Sequence, residues 1–301
     1  MIELRHLRYF VAVAEERCFH RAAERIHIDQ TPLARTVRDL EEQLGVVLVE
    51  RAPRRLNLTP AGHELLEHAP RLFARIERVL RAVRAKDAGH REPIRIGVAD
   101  GLAQPRMNAC LTRWRAGNPG IPIELSELTA IELARALRLE ELDVGFSFGL
   151  PGAEGIVQRP VWSYPAKALL CGAHVLARKR ELSLAELLTF PIVGWHPDHL
   201  PGLRQQMEVG CRACGAACPM TMGQASTLVG YATRVAAGLG VGLADAGHLR
   251  LLKSADLTVV PLLENLRFIT YLLHKQRPFR ASDVRHRFIA HVVSSRGLAE
   301  P

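Results

Sequence analysis

The chain has 301 residues, 48% apolar and 24% charged, with a formal net charge of +9. No apolar run reaches the roughly 18–20 residues that a membrane-spanning helix needs, and the length suits two or three folded units of a globular protein. The basic excess favours a polyanionic partner such as DNA, but it is spread over both ends of the chain, so charge alone locates no site.

The opening stretch MIELRHLRYF is charged and amphipathic, unlike a secretion signal, so a cytoplasmic protein is expected. Leu4, Leu7, Phe10, Val11 and Ala14 then form an apolar stripe at helical spacing. A short second helix is expected from about His20 to Ile26. A third runs from about Thr31 to Leu44, with Leu33, Val37, Leu40 and Leu44 on one face and Gly45 as its terminating residue. The period then changes. Val47–Arg51 and Leu56–Thr59 read as short strands joined by Ala52-Pro53-Arg54-Arg55, the pattern of a hairpin wing.

Thr59-Pro60 is a helix start, and the helix should run to about Lys86. Its apolar positions repeat at nearly 3.5 residues, which predicts pairing with a second copy; the alternative is a long helix packed on its own domain. Pro70 lies inside it and should kink it or leave a carbonyl unpaired. Residues 88–93 read as a hinge. Beyond it strand and helix patterns alternate, which implies α/β layers with mostly parallel sheets in two lobes.

Two helices joined by a turn at His27–Gln30 place the second across a major groove. Gln30, Thr31 and Arg35 take the groove-facing positions. Gln and Arg can form paired hydrogen bonds with adenine and guanine edges. Arg38 lies one turn on, within reach of a phosphate, and Arg51, Arg54 and Arg55 crowd the wing tip, where backbone or minor-groove contact is expected. The plain alternative is a set of solvated surface arginines.

LRHLRYFVAVAEERCFHRAAERIHIDQTPLARTVRDLEEQLGVVLVER, followed by LNLTPAGHELL, closely resembles the LysR-type transcriptional regulators. Weaker likeness continues in ALRLEELDVGF and VAAGLGVGLA. The resemblance implies an α/β fold class: an N-terminal winged helix-turn-helix (1–59), a linker helix for dimerisation (60–87), and a two-lobed periplasmic-binding-protein-like effector domain (94–301). Lobe I would take about 94–161 and 267–301, and lobe II about 162–266. It also implies a homotetramer built from dimers on double-stranded promoter DNA, a small-molecule effector that alters binding or bending, RNA polymerase as a further partner, and no catalysis or resident cofactor. The chain departs from the family pattern at Asp29, Ala34 and Thr36, and at His20, where the family usually has a better helix cap; an altered base preference is expected.

Effectors of two-lobed sensors sit where strands end and helices begin. Three such junctions are Asp100-Gly101, Thr129 and Ser226-Thr227, and the resemblance places Phe146, Phe148, Trp195 and His196 at strand ends nearby. Asp100 would repel a carboxylate, so the effector is expected to be neutral, amino-bearing or cationic. Asp100, Thr129 and Ser226 also suit plain helix caps, and the aromatics suit the core.

Six cysteines are no disulfide framework in a cytosolic chain of this size. Cys211, Cys214 and Cys218 leave open a zinc site completed by His196 or His199, a redox pair favoured by Arg212, or plain packing. Gly238-Leu239-Gly240-Val241-Gly242 follows a helix and enters a strand, the reverse of a dinucleotide loop. Three functions therefore stand: an effector-responsive regulator, a thiol- or metal-responsive one, and a metabolite enzyme with an accessory DNA-binding head.

Overall fold

The computed structural model describes residues 1–51, 56–87, 92–215, 221–250, 252, 254–276 and 283–295. It divides into two compact units, Met1–Arg81 and Ala82–Pro301. Among the described residues no helix is long and apolar enough to cross a membrane.

The first unit contains α1 (Leu4–Glu16), α2 (Phe19–Arg25), α3 (Gln30–Leu44), β1 (Val49–Arg51), β2 (Leu56–Leu58) and the start of α4 (Pro60–Asp87). Phe10, Val13, Ala22, Leu33, Val37 and Leu40 form its centre, and all are buried. Gly45 ends α3 at φ 70°, a left-handed position that glycine takes without a Cβ clash. β1 and β2 pair antiparallel. Glu41 fixes the approach to this wing, because its Oε1 accepts from the Leu48 and Val49 N–H groups at 2.7 and 3.0 Å. Thr59 caps α4 by accepting the Gly62 N–H at 3.0 Å, and donates to the Val47 carbonyl at 2.7 Å. At Gly62 an added Cβ would lie 2.2 Å from the Leu48 carbonyl oxygen, so helix and wing entry are in backbone contact there. α2 begins one residue earlier than expected. Cys18 stands at its cap position without a capping bond, and His20 pairs with Glu24 in the first turn. Asp29 likewise precedes α3 without a side-chain cap.

α4 runs its expected course with Pro70 inside it. That residue has no N–H to offer the preceding turn. Leu72, Val79, Leu80 and Val83 lie exposed along it.

The second unit runs β3 (Ile94–Val98), α5 (Pro105–Gly117), β4 (Ile123–Glu127), α6 (Ala130–Arg138), β5 (Val144–Ser147), β6 (Ile156–Cys171), a 3₁₀ turn (Val175–Arg178), α7 (Leu184–Leu187), β7 (Ile192–Trp195), α8 (Pro201–Ala213), β8 (Thr221–Ala225), α9 (Leu228–Ala236), β9 (Gly242–Asp245), α10 (Ala246–Leu249), β10 (Leu257–Pro261), β11 (Arg267–Lys275) and α11 (Val284–Ser294). β3 pairs parallel with β4 and β5, and β7 parallel with β8. The expectation of mostly parallel sheets needs correction. β6 and β11 run antiparallel to each other, β11 runs antiparallel to β5, and β6 runs antiparallel to β9 and β10. The cause is the length of β6. Its first part pairs with β11 and its second part with β9 and β10, so one strand serves both lobes.

A buried ion pair closes one end of this sheet. Arg95 on β3 gives Nε and Nη2 to the two oxygens of Asp143 at 3.2 and 3.0 Å, and its backbone N–H adds a third bond at 3.0 Å.

Candidate DNA-binding helix and effector cavity

α3 has two distinct sides. Leu33, Val37 and Leu40 are buried, whereas Gln30, Thr31, Arg35 and Arg38 are all exposed. At 100° per residue the four exposed positions span an arc of about 140° that excludes the buried three. Neither Arg35 nor Arg38 is ion-paired to a described residue. The face is thus polar, uncommitted and borne on a helix whose opposite side packs against α1 and α2. β1 includes Arg51, while Arg54 and Arg55 lie outside the described residues.

The second unit holds a cavity of about 670 Å³ where three strand ends meet. β3 leads through Ala99 to Asp100 and Gly101. β4 leads through Leu128 to Thr129, and β8 through Ser226 to Thr227. All three junctions line the cavity, together with Glu127, Glu132, His199, Leu200, Leu228 and Val229. Thr129 and Thr227 are also helix caps. Thr129 Oγ1 accepts the Glu132 N–H at 3.3 Å, and Thr227 Oγ1 accepts the Gly230 N–H at 3.1 Å. The Glu132 carboxylate in turn accepts from the Thr129 N–H and hydroxyl, bonds that hold its pKa below the usual range. Asp100 and Ser226 cap nothing. Gln104 precedes α5 and Thr227 precedes α9.

Asp100 occupies a tight turn with φ 64°, and Gly101 follows at φ 60°. Its side chain is 8% exposed, and Oδ2 accepts the Phe148 N–H at 2.7 Å. Oδ1 is buried and has no hydrogen-bond partner among the described residues. Burial raises the Asp100 pKa to about 7, against the opposing pull of the Phe148 N–H and His248. His248 lies beneath, bonded through Nδ1 to Asp245 and through Nε2 to the Gly101 carbonyl at 3.1 Å. Burial pulls its pKa down, but the charge and hydrogen bond of Asp245, with Gly101 and Asp100, outweigh that, and the net shift is upward. Gln104 extends the network, giving Nε2 to Asp245 at 3.2 Å and accepting from Thr270 at 2.8 Å.

The raised Asp100 pKa has a stability consequence. The unfolded carboxyl ionises near 4 and the folded one near 7, so folding becomes less favourable as pH rises across that window and levels off above it. Asp100→Asn is therefore expected to gain melting temperature over the parent progressively from pH 4 to 7. A constant difference across that window, read by thermal denaturation, would contradict the assigned ionisation.

The aromatic residues lie elsewhere. Phe146 is fully buried and stacks on Trp162 at 5.3 Å. Phe148 packs against His248 and Phe268, and Trp195 stacks on Tyr231 at 3.9 Å. His196 is partly exposed, with its ring against that of His199. None of these four lines the cavity, although Phe148 borders a second one beside Gln206 and Tyr271. Glu127, Leu128 and Glu132 flank a junction that the sequence does reveal, and Thr129-x-x-Glu132 is a capping-box pattern that marks the last of them. His199 had none.

Cys211 is buried in α8, Cys214 is exposed at its end, and Cys218 lies outside the described residues. Among the described residues no three His, Cys, Asp or Glu side chains are arranged to hold a metal ion.

Two family models match the chain. Residues 4–63 match the bacterial regulatory helix-turn-helix protein, lysR family, and residues 87–295 match the LysR substrate binding domain. An uncharacterized HTH-type transcriptional regulator, YnfL of Escherichia coli (strain K12), is 31% identical over 266 residues, covering 87% of this chain and 88% of that one. HTH-type transcriptional regulator BudR of Raoultella terrigena is 31% identical over 245 residues, covering 80% and 84%. Among solved structures, CbnR, a LysR family transcriptional regulator, superposes with a TM-score of 0.73 at 22% identity, covering 98% of this chain and 99% of that one. CbnR has also been solved in full length with its target DNA.

Proposed function

The chain belongs to the LysR family of bacterial transcriptional regulators, and on that premise we propose how its parts divide the work. It is a DNA-binding regulator that responds to a small molecule, not an enzyme. Residues 1–59 bind duplex DNA, with Gln30, Thr31 and Arg35 at base edges, Arg38 at a phosphate, and Arg51, Arg54 and Arg55 at the wing. Residues 60–87 pair two copies, residues 88–93 (of which 88–91 lie outside the described residues) connect, and residues 94–301 bind the effector. Within the last, lobe I takes 94–161 and 267–301 and lobe II takes 162–266. The observation that carries the DNA assignment is the exposed, unpaired polar face of α3 opposite its buried Leu33, Val37 and Leu40.

The exposed stripe of Leu72, Val79, Leu80 and Val83 supports dimerisation through α4, because a second apolar helix would cover it. Dimers associating into a homotetramer, contact with RNA polymerase and a cytoplasmic location complete the reading. The effector occupies the cavity of Asp100, Gly101, Thr129, Ser226 and Thr227. Closure of the lobes on it shifts the spacing of the paired DNA-binding heads, a coupling that works equally in both directions for binding.

Selection from a random duplex pool with the intact protein tests this. We expect enrichment of an inverted repeat whose half-sites lie about one helical turn apart, the spacing two symmetry-related recognition helices impose. Enrichment of an unrepeated site, or of none, would overturn the paired-helix reading.

A further inference from the structure

We propose that the cavity takes a protonated primary amine on a small apolar body, with Asp100 as its counter-ion. The inference rests on the reading of this cavity as the effector site and names the class of molecule. Its lining carries Asp100, Glu127 and Glu132 and no Lys or Arg among the described residues; His199 is the one basic side chain. A carboxylate entering here meets three acids. The α6 helix start, which would otherwise favour an anion, already has one of its own in Glu132.

The independent observation is Asp100 itself. It is more than nine-tenths buried, lines the cavity, and leaves Oδ1 without a partner. Such a group is costly unless something completes it. An ammonium that draws this carboxyl toward the cavity supplies both the missing donor and the compensating charge, and returns the carboxyl to its ionised form. Leu128, Leu200, Leu228 and Val229 offer the apolar body its contacts.

The pH behaviour follows. Below about 7 the empty site holds Asp100 protonated, so an amine must displace that proton, and its affinity falls roughly tenfold per pH unit at the acid end. The other titratable groups facing this region are His248 on α10 with Asp245, Glu127 on β4, Glu132 on α6 and His199 before α8. Asp100→Asn separates them, because it removes the Asp100 step alone.

The test is isothermal titration of the full-length protein with benzylamine, benzyl alcohol and benzoate, repeated with the isobutyl and cyclohexylmethyl triplets, at pH 5, 6, 7 and 8. Within a triplet the amine should bind at least about tenfold more tightly than the alcohol, with the carboxylate weakest. Asp100→Asn should lose that preference and flatten the pH dependence, while the parent releases a proton on binding at pH 6. Val229→Trp, placed at an exposed lining position, should block every probe. If a carboxylate binds best and Val229→Trp abolishes it, the amine class is wrong and the cavity assignment stands. If an amine binds equally well to Val229→Trp, the cavity assignment itself falls. Absence of binding by all three amines overturns the proposal. The pH dependence and proton release of the parent protein decide the matter even where Asp100→Asn does not fold.

Discussion

Removing the Gln30 and Arg35 side chains together is expected to weaken binding to the selected duplex by roughly 30-fold at the least. Each paired hydrogen bond to a base edge is worth about 1–3 kcal/mol, and two are lost per recognition helix. The fold should be untouched, because both side chains are exposed and the core face of α3 consists of Leu33, Val37 and Leu40. Melting temperature should accordingly stay close to that of the parent. Arg38→Ala gives the informative contrast. A phosphate contact carries no sequence information, so its loss should weaken all duplexes alike and reduce the salt dependence by about one counterion per recognition helix. Fluorescence anisotropy at several salt concentrations reads both effects. Unchanged affinity in the double variant would remove α3 from the DNA interface.

Asp143→Ala should be among the most damaging single changes in the second unit. Arg95 and Asp143 are joined by three hydrogen bonds, with side chains 6% and 5% exposed. Breaking a buried pair by removing one partner costs about 3–5 kcal/mol, because the surviving charge stays buried. Arg285 lies 3.7 Å from the same carboxylate but keeps Asp283, whose oxygens accept from its Nε and Nη2 at 2.9 and 2.6 Å, so Arg95 is the charge left without a partner. Replacing both members of the pair, Arg95→Met with Asp143→Leu, should recover much of the loss, since no lone charge remains. Chemical denaturation of both variants checks this. Equal damage from the single and double changes would mean that packing, not charge, sets the cost.

The first unit was nearly readable in advance because its helices alternate buried and exposed positions at one period, and its turns use residues with few alternatives, Gly45 and Thr59-Pro60 among them. The front of β6 was not. Pro160 and Pro165 argue against a strand, since neither can donate to a ladder. The fold tolerates both. Pro160 stands beside the irregular register at Thr270/Tyr271, and Pro165 stands where β6 exchanges β11 for β9. The junctions of the cavity were legible because strand ends and helix caps leave local marks. Which way a strand side chain turns leaves none: Phe146 and Trp195 face the core, stacked on Trp162 and Tyr231, which come from other segments of the chain. The orphaned oxygen of Asp100 was equally invisible, because it depends on burial by segments from across the unit.

The central claim is that occupancy of the cavity and the state of the DNA complex are coupled. The direct measurement takes a compound that raises the melting temperature of the full-length protein and titrates it into the complex with the selected duplex, following affinity and bend angle together. The account predicts a change of about 5- to 150-fold in affinity, or a clear change in bend, that Val229→Trp abolishes. A compound that saturates the cavity and leaves both affinity and bend unaltered would contradict it.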